Sequence, residues 1–596
     1  MAREIFAFSS SFNNMQWKLR SVDDEVADSL RLHYDVPDIV ARIMAAKGID
    51  ELSAQEFLNA SFKNNCPNPS LLKDMDKAAA RIAEAVEKGE KISQFSDYDA
   101  DGATSAAQIH LFLSALGVNT EIVIPSRDSG YGPNEPDMQK LIDSGAKVII
   151  TTDCGTTADA VLNKVTEQGV DVVVIDHHEP DVLHSPNVFA LVNPKRFDEP
   201  AKNPFRDMAA AGLAFMFLIA LNRTLRERGF YQKNGLQEPN ILKLSDIAAL
   251  GTVCDVMSLT GINRLLVKYG LRVLSARKNT GIRMLAEAAG INSAMSVYHL
   301  GFVLGPRINA GGRVGKSDLA VRLLCCTDEA LAADIAKEMC YYNDERKQIE
   351  EFVLQQAICD IDARENPDDS LVFVYGKDWH SGVIGIVAGR LKERYNVPSI
   401  VLSVDEAEGL AHASCRSVHG VDIGAAVVDG VAKGVLVKGG GHTMAAGFTV
   451  AVDKLHEAEA FFREHIKSQL AAKGGEIASC LEIDALLDIG ALNDSLMDKF
   501  SLLEPFGEGN PEPLFALKDV TVRFLDIKGQ GHVSCMVYGA YGGAIKAIAF
   551  KAADTELGNR IIKSAGESFY FAGYLRQNEW QGRKSLQFVI VDGAIA

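Results

Sequence analysis

Residues 91–102 read Lys91-Ile92-Ser93-Gln94-Phe95-Ser96-Asp97-Tyr98-Asp99-Ala100-Asp101-Gly102. The largely apolar run 91–96 predicts a short strand, and it leads straight into three alternating carboxylates. Gly102 follows, where the chain must turn tightly into a helix. Upstream, residues 77–88 have amphipathic helical spacing; downstream, 103–116 predicts a helix and 120–125 a strand. The alternation then repeats. Residues 147–152 predict a strand stopping at Asp153, 157–168 a helix, and 171–175 a strand stopping at Asp176. Strands alternating with helices imply a parallel sheet covered on both faces. Ligands bind such a sheet beyond the carboxyl ends of its strands. Three acidic clusters therefore converge on one edge.

Asp97, Asp99 and Asp101 repel one another strongly if all are ionised, and cations make their clustering favourable. A calcium loop would need Glu at its twelfth position, counted from Asp97; Gln108 stands there. Asp153, read alone, is equally a helix cap before Thr156-Thr157. Asp176-His177-His178 is sharper, because adjacent histidines after a buried strand point in opposite directions. One can bind metal while the other faces a substrate. Asp255, in Gly251-Thr252-Val253-Cys254-Asp255, gains weight from the other clusters. Mixed carboxylate and imidazole ligands suit Mn²⁺ or Mg²⁺. Two such ions, bridged by a carboxylate, support phosphoryl chemistry. Asp153 is read as the bridge, with Asp101 and Asp255 as further ligands. The alternation of the turn sets Asp97 apart, as the carboxylate most exposed to being turned away from the metals.

The chain has 596 residues, too many for one core, so three or four domains are expected. Its composition is 47% hydrophobic and 23% charged, that of a globular protein. No apolar run reaches the length of a membrane span. Met1-Ala2-Arg3-Glu4 does not begin a secretory signal. A cytoplasmic protein is expected. The ten cysteines form no Cys-x-x-Cys pair, so neither a zinc site nor a disulfide framework is expected. The net charge of −18 weighs weakly against nucleic-acid binding, though carboxylates that gather cations contribute to it.

Residues 1–70 form an N-terminal segment with no identifiable chemistry. The α/β pattern over 71–315 includes long apolar helices at 208–226 and 242–250. A charged helix over 328–364 dominates a connecting segment, 316–365. A second α/β region occupies 366–470, and 471–475 reads as a linker. From 476 onward, short alternating strands with Gly-rich turns suggest a small β-barrel. From Leu481 on there are 11 Lys/Arg and 15 Asp/Glu, so the barrel is not basic. Phe569, Tyr570, Phe571, Tyr574 and Trp580 offer stacking faces, but aromatics at strand spacing are more often core.

At Asp176-His177-His178 the chain resembles the DHH phosphoesterase family. The likeness extends through Gly305-Pro306-Arg307-Ile308-Asn309-Ala310-Gly311-Gly312-Arg313 and Trp379-His380-Ser381-Gly382. It continues through Ser414-Cys415-Arg416-Ser417, Gly439-Gly440-Gly441-His442 and Leu503-Glu504-Pro505-Phe506-Gly507-Glu508-Gly509-Asn510-Pro511. The resemblance implies an α/β multidomain protein: a parallel-sheet DHH domain, a long connecting helix, a second α/β DHH-associated domain and a C-terminal OB-type β-barrel. It implies a 5′→3′ exonuclease that degrades single-stranded DNA to mononucleotides in recombination and repair, using Mn²⁺ or Mg²⁺. The implied ligands are Asp97, Asp99, Asp101, Asp153, His177 and Asp255, with His178 beside metals and substrate. By the same resemblance, Arg127, Ser414 and Arg416 recognise the DNA 5′ end, and His442 contacts the scissile phosphate. Arg307, Asn309 and Arg313 line the nucleotide channel or pack between domains. A single-stranded DNA-binding protein and a RecQ-type helicase are implied partners, a monomer is expected, and no membrane is involved. Two other readings stand beside this one. Small DHH enzymes that cleave oligoribonucleotides, cyclic dinucleotides or pyrophosphate need no barrel, and inactive scaffold relatives lose ligands.

Overall fold

The computed structural model describes residues 8, 10–127, 130–364, 370–472, 480–564, 566–580 and 583–596. The chain divides into two compact units, one of residues 69–255 and 270–477, the other of residues 1–68, 256–269 and 478–596.

The first unit begins with a five-stranded sheet of β1 (Ile92–Ser96), β2 (Glu121–Val123), β3 (Val148–Thr152), β4 (Asp171–Ile175) and β5 (Ala190–Val192). The order is β2-β1-β3-β4-β5 and every pairing is parallel, as the alternation predicted. β1 and β3 are buried along their whole length, which is why they read as short apolar runs rather than as an in–out alternation. Phe95, Ile149, Val172 and Val174 pack with Met138, Leu141, Leu162 and Val165 from two helices on one face. Alternate residues such as Ile150 and Val173 turn to the other face, where α2 (Ala100–Ala115) and α3 (Ala210–Glu227) lie against the sheet. α1 (Met75–Lys88) packs on α3, and α4 (Ser245–Cys254) packs on both α2 and α3.

The helix α5 (Gly305–Val314) leads to α6 (Glu329–Asp362), a 34-residue helix that packs against it and against α7 (Ser381–Tyr395). A second sheet follows, with β6 (Val372–Lys377), β7 (Ser399–Asp405), β8 (Leu410–Arg416), β9 (Lys438–His442) and β10 (Ala445–Ala451) in the order β9-β10-β8-β7-β6. Its faces carry separate cores. Phe373, Ile400, Val427 and Phe462 belong to one, and Val374, Trp379, Val387 and Val401 to the other.

In the second unit, strands Phe515–Lys528, His532–Tyr538, Ala544–Ala549, Arg583–Ile595 and Ser568–Trp580 pair in that order. The last pairs back to the first, closing a five-stranded barrel. Phe569 and Phe571 are fully buried and Tyr570 nearly so, as expected of core aromatics; the Trp580 side chain lies outside the described residues, as do 473–475 of the expected linker. The N-terminal helices Asp24–Tyr34, Asp38–Ala46 and Glu51–Asn59 share this barrel's core, with Leu30, Val40 and Met44 clustering with Leu517, Phe569 and Phe571.

Candidate metal centre

β1, β3 and β4 end at Ser96, Thr152 and Ile175, so Asp97, Asp153 and Asp176 are the next residues out. The chain leaves β1 for β2 on one side and returns to β3 on the other. That reversal opens a crevice at the carboxyl edge, where Asp97 and Asp153 stand.

The acidic turn is fixed by its own hydrogen bonds. Asp99 caps α2, its Oδ1 accepting from Asp101 N at 2.8 Å and Gly102 N at 3.1 Å. The cap starts α2 at Ala100, three residues before the apolar periodicity alone suggests. The Asp101 carboxylate accepts from the first amides of α3, Ala210 N at 2.7 Å and Ala211 N at 2.8 Å. Asn309 Oδ1 accepts from Ala100 N at 2.7 Å. A Cβ on Gly102 would meet the Asp97 carbonyl oxygen at 2.4 Å, so the turn admits no side chain there. Asp153 holds φ at 60°, a strained value for a residue with a side chain.

These constraints bring the carboxylates together. His177 Nε2 lies 3.4 Å from Asp153 Oδ1, 3.5 Å from Asp255 Oδ2 and 3.7 Å from Asp101 Oδ2. Asp97, Asp99 and Asp153 offer three ligand atoms within 4.8 Å of one another, as do Asp101, His177 and Asp255. Asp153, His177 and His178 form a third such group. Asp153 thus stands between two clusters. Asp97 is turned into the site rather than away from it.

Asp97 Oδ1, Asp153 Oδ1 and Asp255 Oδ2 are buried and have no hydrogen-bond partner. Unpaired buried carboxylate oxygens are costly, and cations are what offset that cost. The oxygen-rich set with one imidazole fits Mn²⁺ or Mg²⁺. Burial, reinforced by Asp99, pushes the Asp97 carboxyl up to about 7. Burial and mutual repulsion likewise raise Asp101, Asp153 and Asp255 above the usual carboxylate range. Burial, with His178 nearby, holds His177 down at about 3, so its ring is neutral and available as a ligand.

Asp176 departs from the reading that grouped it with the metal-holding carboxylates. Its Oδ1 accepts from His177 N at 2.8 Å and His178 N at 3.2 Å, and lies 2.8 Å from His178 Nδ1. Its Oδ2 accepts from Thr156 N at 2.9 Å. Both oxygens are occupied, and Asp176 orients His178. Burial alone would lower His178, but the Asp176 contact outweighs it and raises the ring to about 9. Sequence reading missed two partners of this arrangement. Tyr131 Oη lies 2.9 Å from His178 Nδ1 and donates to the Asp153 carbonyl at 2.9 Å. Asn193 Nδ2 donates to Thr156 Oγ1 at 2.8 Å and to the His178 carbonyl at 2.9 Å. Tyr131 has a sequence signal, its place between Gly130 and Gly132 just beyond β2; Asn193, directly after β5, has the same strand-end position as the aspartates.

The remaining candidates divide. Arg307, Asn309 and Arg313 line a cavity of about 550 Å³ together with Arg346, Lys347 and Arg390. Each of the three also serves packing. Arg307 donates to the Val303 carbonyl at 2.7 Å, Asn309 holds Ala100, and Arg313 donates to the Gly382 carbonyl at 2.9 Å. Arg416 donates to Ser414 Oγ at 3.2 Å and to the Cys415 carbonyl at 2.8 Å. A Cβ on Gly385 of α7 would meet Ser414 Oγ at 2.9 Å, so α7 lies close against this pair. Arg127 lies over the Tyr98 ring at 5.3 Å. Among the described residues, neither Arg127 nor Arg416 pairs with a carboxylate. His442 ends the exposed strand β9, its Nδ1 accepting from Met444 N at 3.4 Å, and is not among the grouped ligands.

Comparison with known proteins agrees with this geometry. The profile of the DHH family N-terminal domain matches residues 91–252, that of the DHHA1 domain matches 368–468, and that of the RecJ OB domain matches 483–592. The chain is 33% identical to the single-stranded-DNA-specific exonuclease RecJ of Escherichia coli over 97% of this chain and 98% of that one. It is 30% identical to the protein of the same name from Bacillus subtilis, over 98% of this chain and 71% of that one. The crystal structure of Thermus thermophilus RecJ in complex with Mn²⁺ superposes with a TM-score of 0.79 at 28% identity, covering 98% of this chain and 80% of that one. The same protein in complex with Mg²⁺ superposes with a TM-score of 0.74. A barrel of the RecJ type sets the chain apart from the small DHH enzymes, and a complete, converged ligand set sets it apart from the inactive scaffolds. The chain belongs to the RecJ family of DHH phosphoesterases.

Proposed function

We propose that this protein is a metal-dependent exonuclease that degrades single-stranded DNA from its 5′ end to mononucleotides, in recombination and repair. What carries the reading is the pair of three-donor clusters that meet at Asp153. Asp97, Asp99 and Asp153 would hold one divalent cation, and Asp101, His177 and Asp255 the other, with Asp153 between them. Mn²⁺ or Mg²⁺, when bound, supplies an activated water and stabilises charge on the phosphate oxygens. His178, held by Asp176 and next to Tyr131, is placed to donate a hydrogen bond to a phosphate oxygen. His442, on an exposed strand end, is a second candidate for contact with the scissile phosphate.

Polarity would come from Arg127, Ser414 and Arg416. A guanidinium without a carboxylate partner suits a terminal phosphate. The cavity lined by Arg307, Arg313, Arg346 and Arg390 suits the phosphodiester backbone of the entering strand. A single-stranded DNA-binding protein and a RecQ-type helicase are the partners this reading expects. The test is Asp153→Ala in the full chain. Mn²⁺-dependent release of mononucleotides should fall by about three orders of magnitude or more, the scale expected when a central catalytic group is lost; a variant with full activity refutes the two-cation reading.

A further inference from the structure

The motif Leu503–Pro511 takes no part in the site above. Two of its residues, Gly509 and Asn510, line a separate cavity of about 270 Å³ within the second unit. The other walls come from two distant stretches of the chain, 47–60 and 259–268. The floor is apolar, with Ile49, Phe57, Leu259 and Leu265 among the lining residues. Lys47, Arg264 and Lys268 line it as well, against a single lining carboxylate, Glu56.

Two of these cations are held by neutral groups alone. Lys47 Nζ donates to Asn510 Oδ1 at 2.9 Å and to the Pro511 carbonyl at 2.8 Å. Arg264 donates to the Leu503 carbonyl at 3.0 Å and the Leu502 carbonyl at 3.2 Å, and its guanidinium lies 3.8 Å over the Phe57 ring. Among the described residues, neither makes an ion pair. Burial lowers Lys47 to about 8 and Arg264 to about 10, the mark of charges short of compensation. Lys268 Nζ donates to the Leu58 carbonyl at 3.0 Å.

We propose that this cavity is a docking site for the carboxyl terminus of a partner polypeptide whose last residue is large and apolar. The apolar floor takes the terminal side chain, and the cations take the free carboxylate. At about 270 Å³ the cavity falls below the roughly 300–1,000 Å³ of a small-molecule site, which favours one anchoring residue over a whole ligand. The excess of cations over carboxylates selects an anionic terminus. The site is independent of the nuclease reading, so either can fail alone.

The test uses the full-length protein and a fluorescein-labelled Gly/Ser hexapeptide ending in Phe, followed by fluorescence polarisation. The free acid should bind saturably. Its carboxamide, and the peptide ending in Ala, should each bind at least about tenfold more weakly, as expected for the loss of one charge-assisted contact or one buried side chain. Lys268→Ala should weaken the free acid, and Ala60→Trp, which fills the cavity, should abolish its binding. Both variants should keep the hydrolysis rate on bare single-stranded DNA, which shows that they fold. Equal binding of acid and amide, no saturable binding up to millimolar peptide, or undiminished binding by Ala60→Trp overturns the proposal.

Discussion

Asp153 concentrates the chemistry in one residue. Its left-handed backbone and its unpaired Oδ1 are both unfavourable in isolation. Together they place one carboxylate between two clusters. The ligand aspartates were legible in the sequence because strands ended at them. The division of labour within Asp176-His177-His178 was not. Asp176 differs from its neighbours only through its contacts with Thr156 and His178, and no spacing rule reveals which carboxylate is already occupied by amides. Asn193 and Tyr131 were missed for the same reason, since their partners lie many residues away. At the proposed 5′-end pocket, burial lowers Arg416, so that site discriminates by charge in a partly dry setting. Arg416→Ala should reduce the rate on 5′-phosphorylated strands by at least about tenfold, the value of one charge-assisted contact, while leaving Mn²⁺ affinity within about twofold. Calorimetric titration with Mn²⁺ beside a rate assay separates the two; equal loss of both would count against the pocket.

At the scale of elements, the site depends on how closely three helices approach. A Cβ on Gly251 in α4 would lie 2.2 Å from Thr104 Oγ1 in α2, 2.5 Å from the Ala211 Cβ in α3 and 3.2 Å from Asp101 Oδ1. Gly251→Ala should therefore cost about 1–3 kcal/mol of stability through overpacking, and weaken Mn²⁺ binding by displacing Asp101. Thermal unfolding and metal titration measure the two effects; an unchanged metal affinity would show that α4 does not set the position of Asp101. The helices themselves were legible from their period. The start of α2 was not, because the Asp99 cap lies in residues whose acidity reads as a loop.

The whole molecule carries a linkage between metal, protons and folding. In the metal-free protein Asp97 titrates near 7, well above its unfolded 3.8, with Asp101 and Asp255 raised in the same direction. His178 titrates near 9 against an unfolded 6.5. All four groups hold more protons folded than unfolded as pH rises above 6.5, so stability falls across the window from 6.5 to about 9. Protein treated with EDTA should lose several degrees of Tm across that window, and Mn²⁺ should restore most of the loss; a flat profile without metal would contradict the clustering of charges. The association of the N-terminal helices with the barrel was invisible in the sequence. Leu30 and Met44 meet Leu517 and Phe571 across most of the chain, beyond the reach of any local pattern.

The account stands most directly on where hydrolysis begins and on what it requires. Single strands of DNA and RNA labelled at the 5′ or the 3′ end would be incubated with the full-length protein in Mn²⁺, Mg²⁺ or EDTA. Labelled mononucleotide should appear at once from the 5′-labelled DNA and only late from the 3′-labelled DNA, and EDTA should stop both. Release that starts at the 3′ end, or that survives EDTA, would contradict the account.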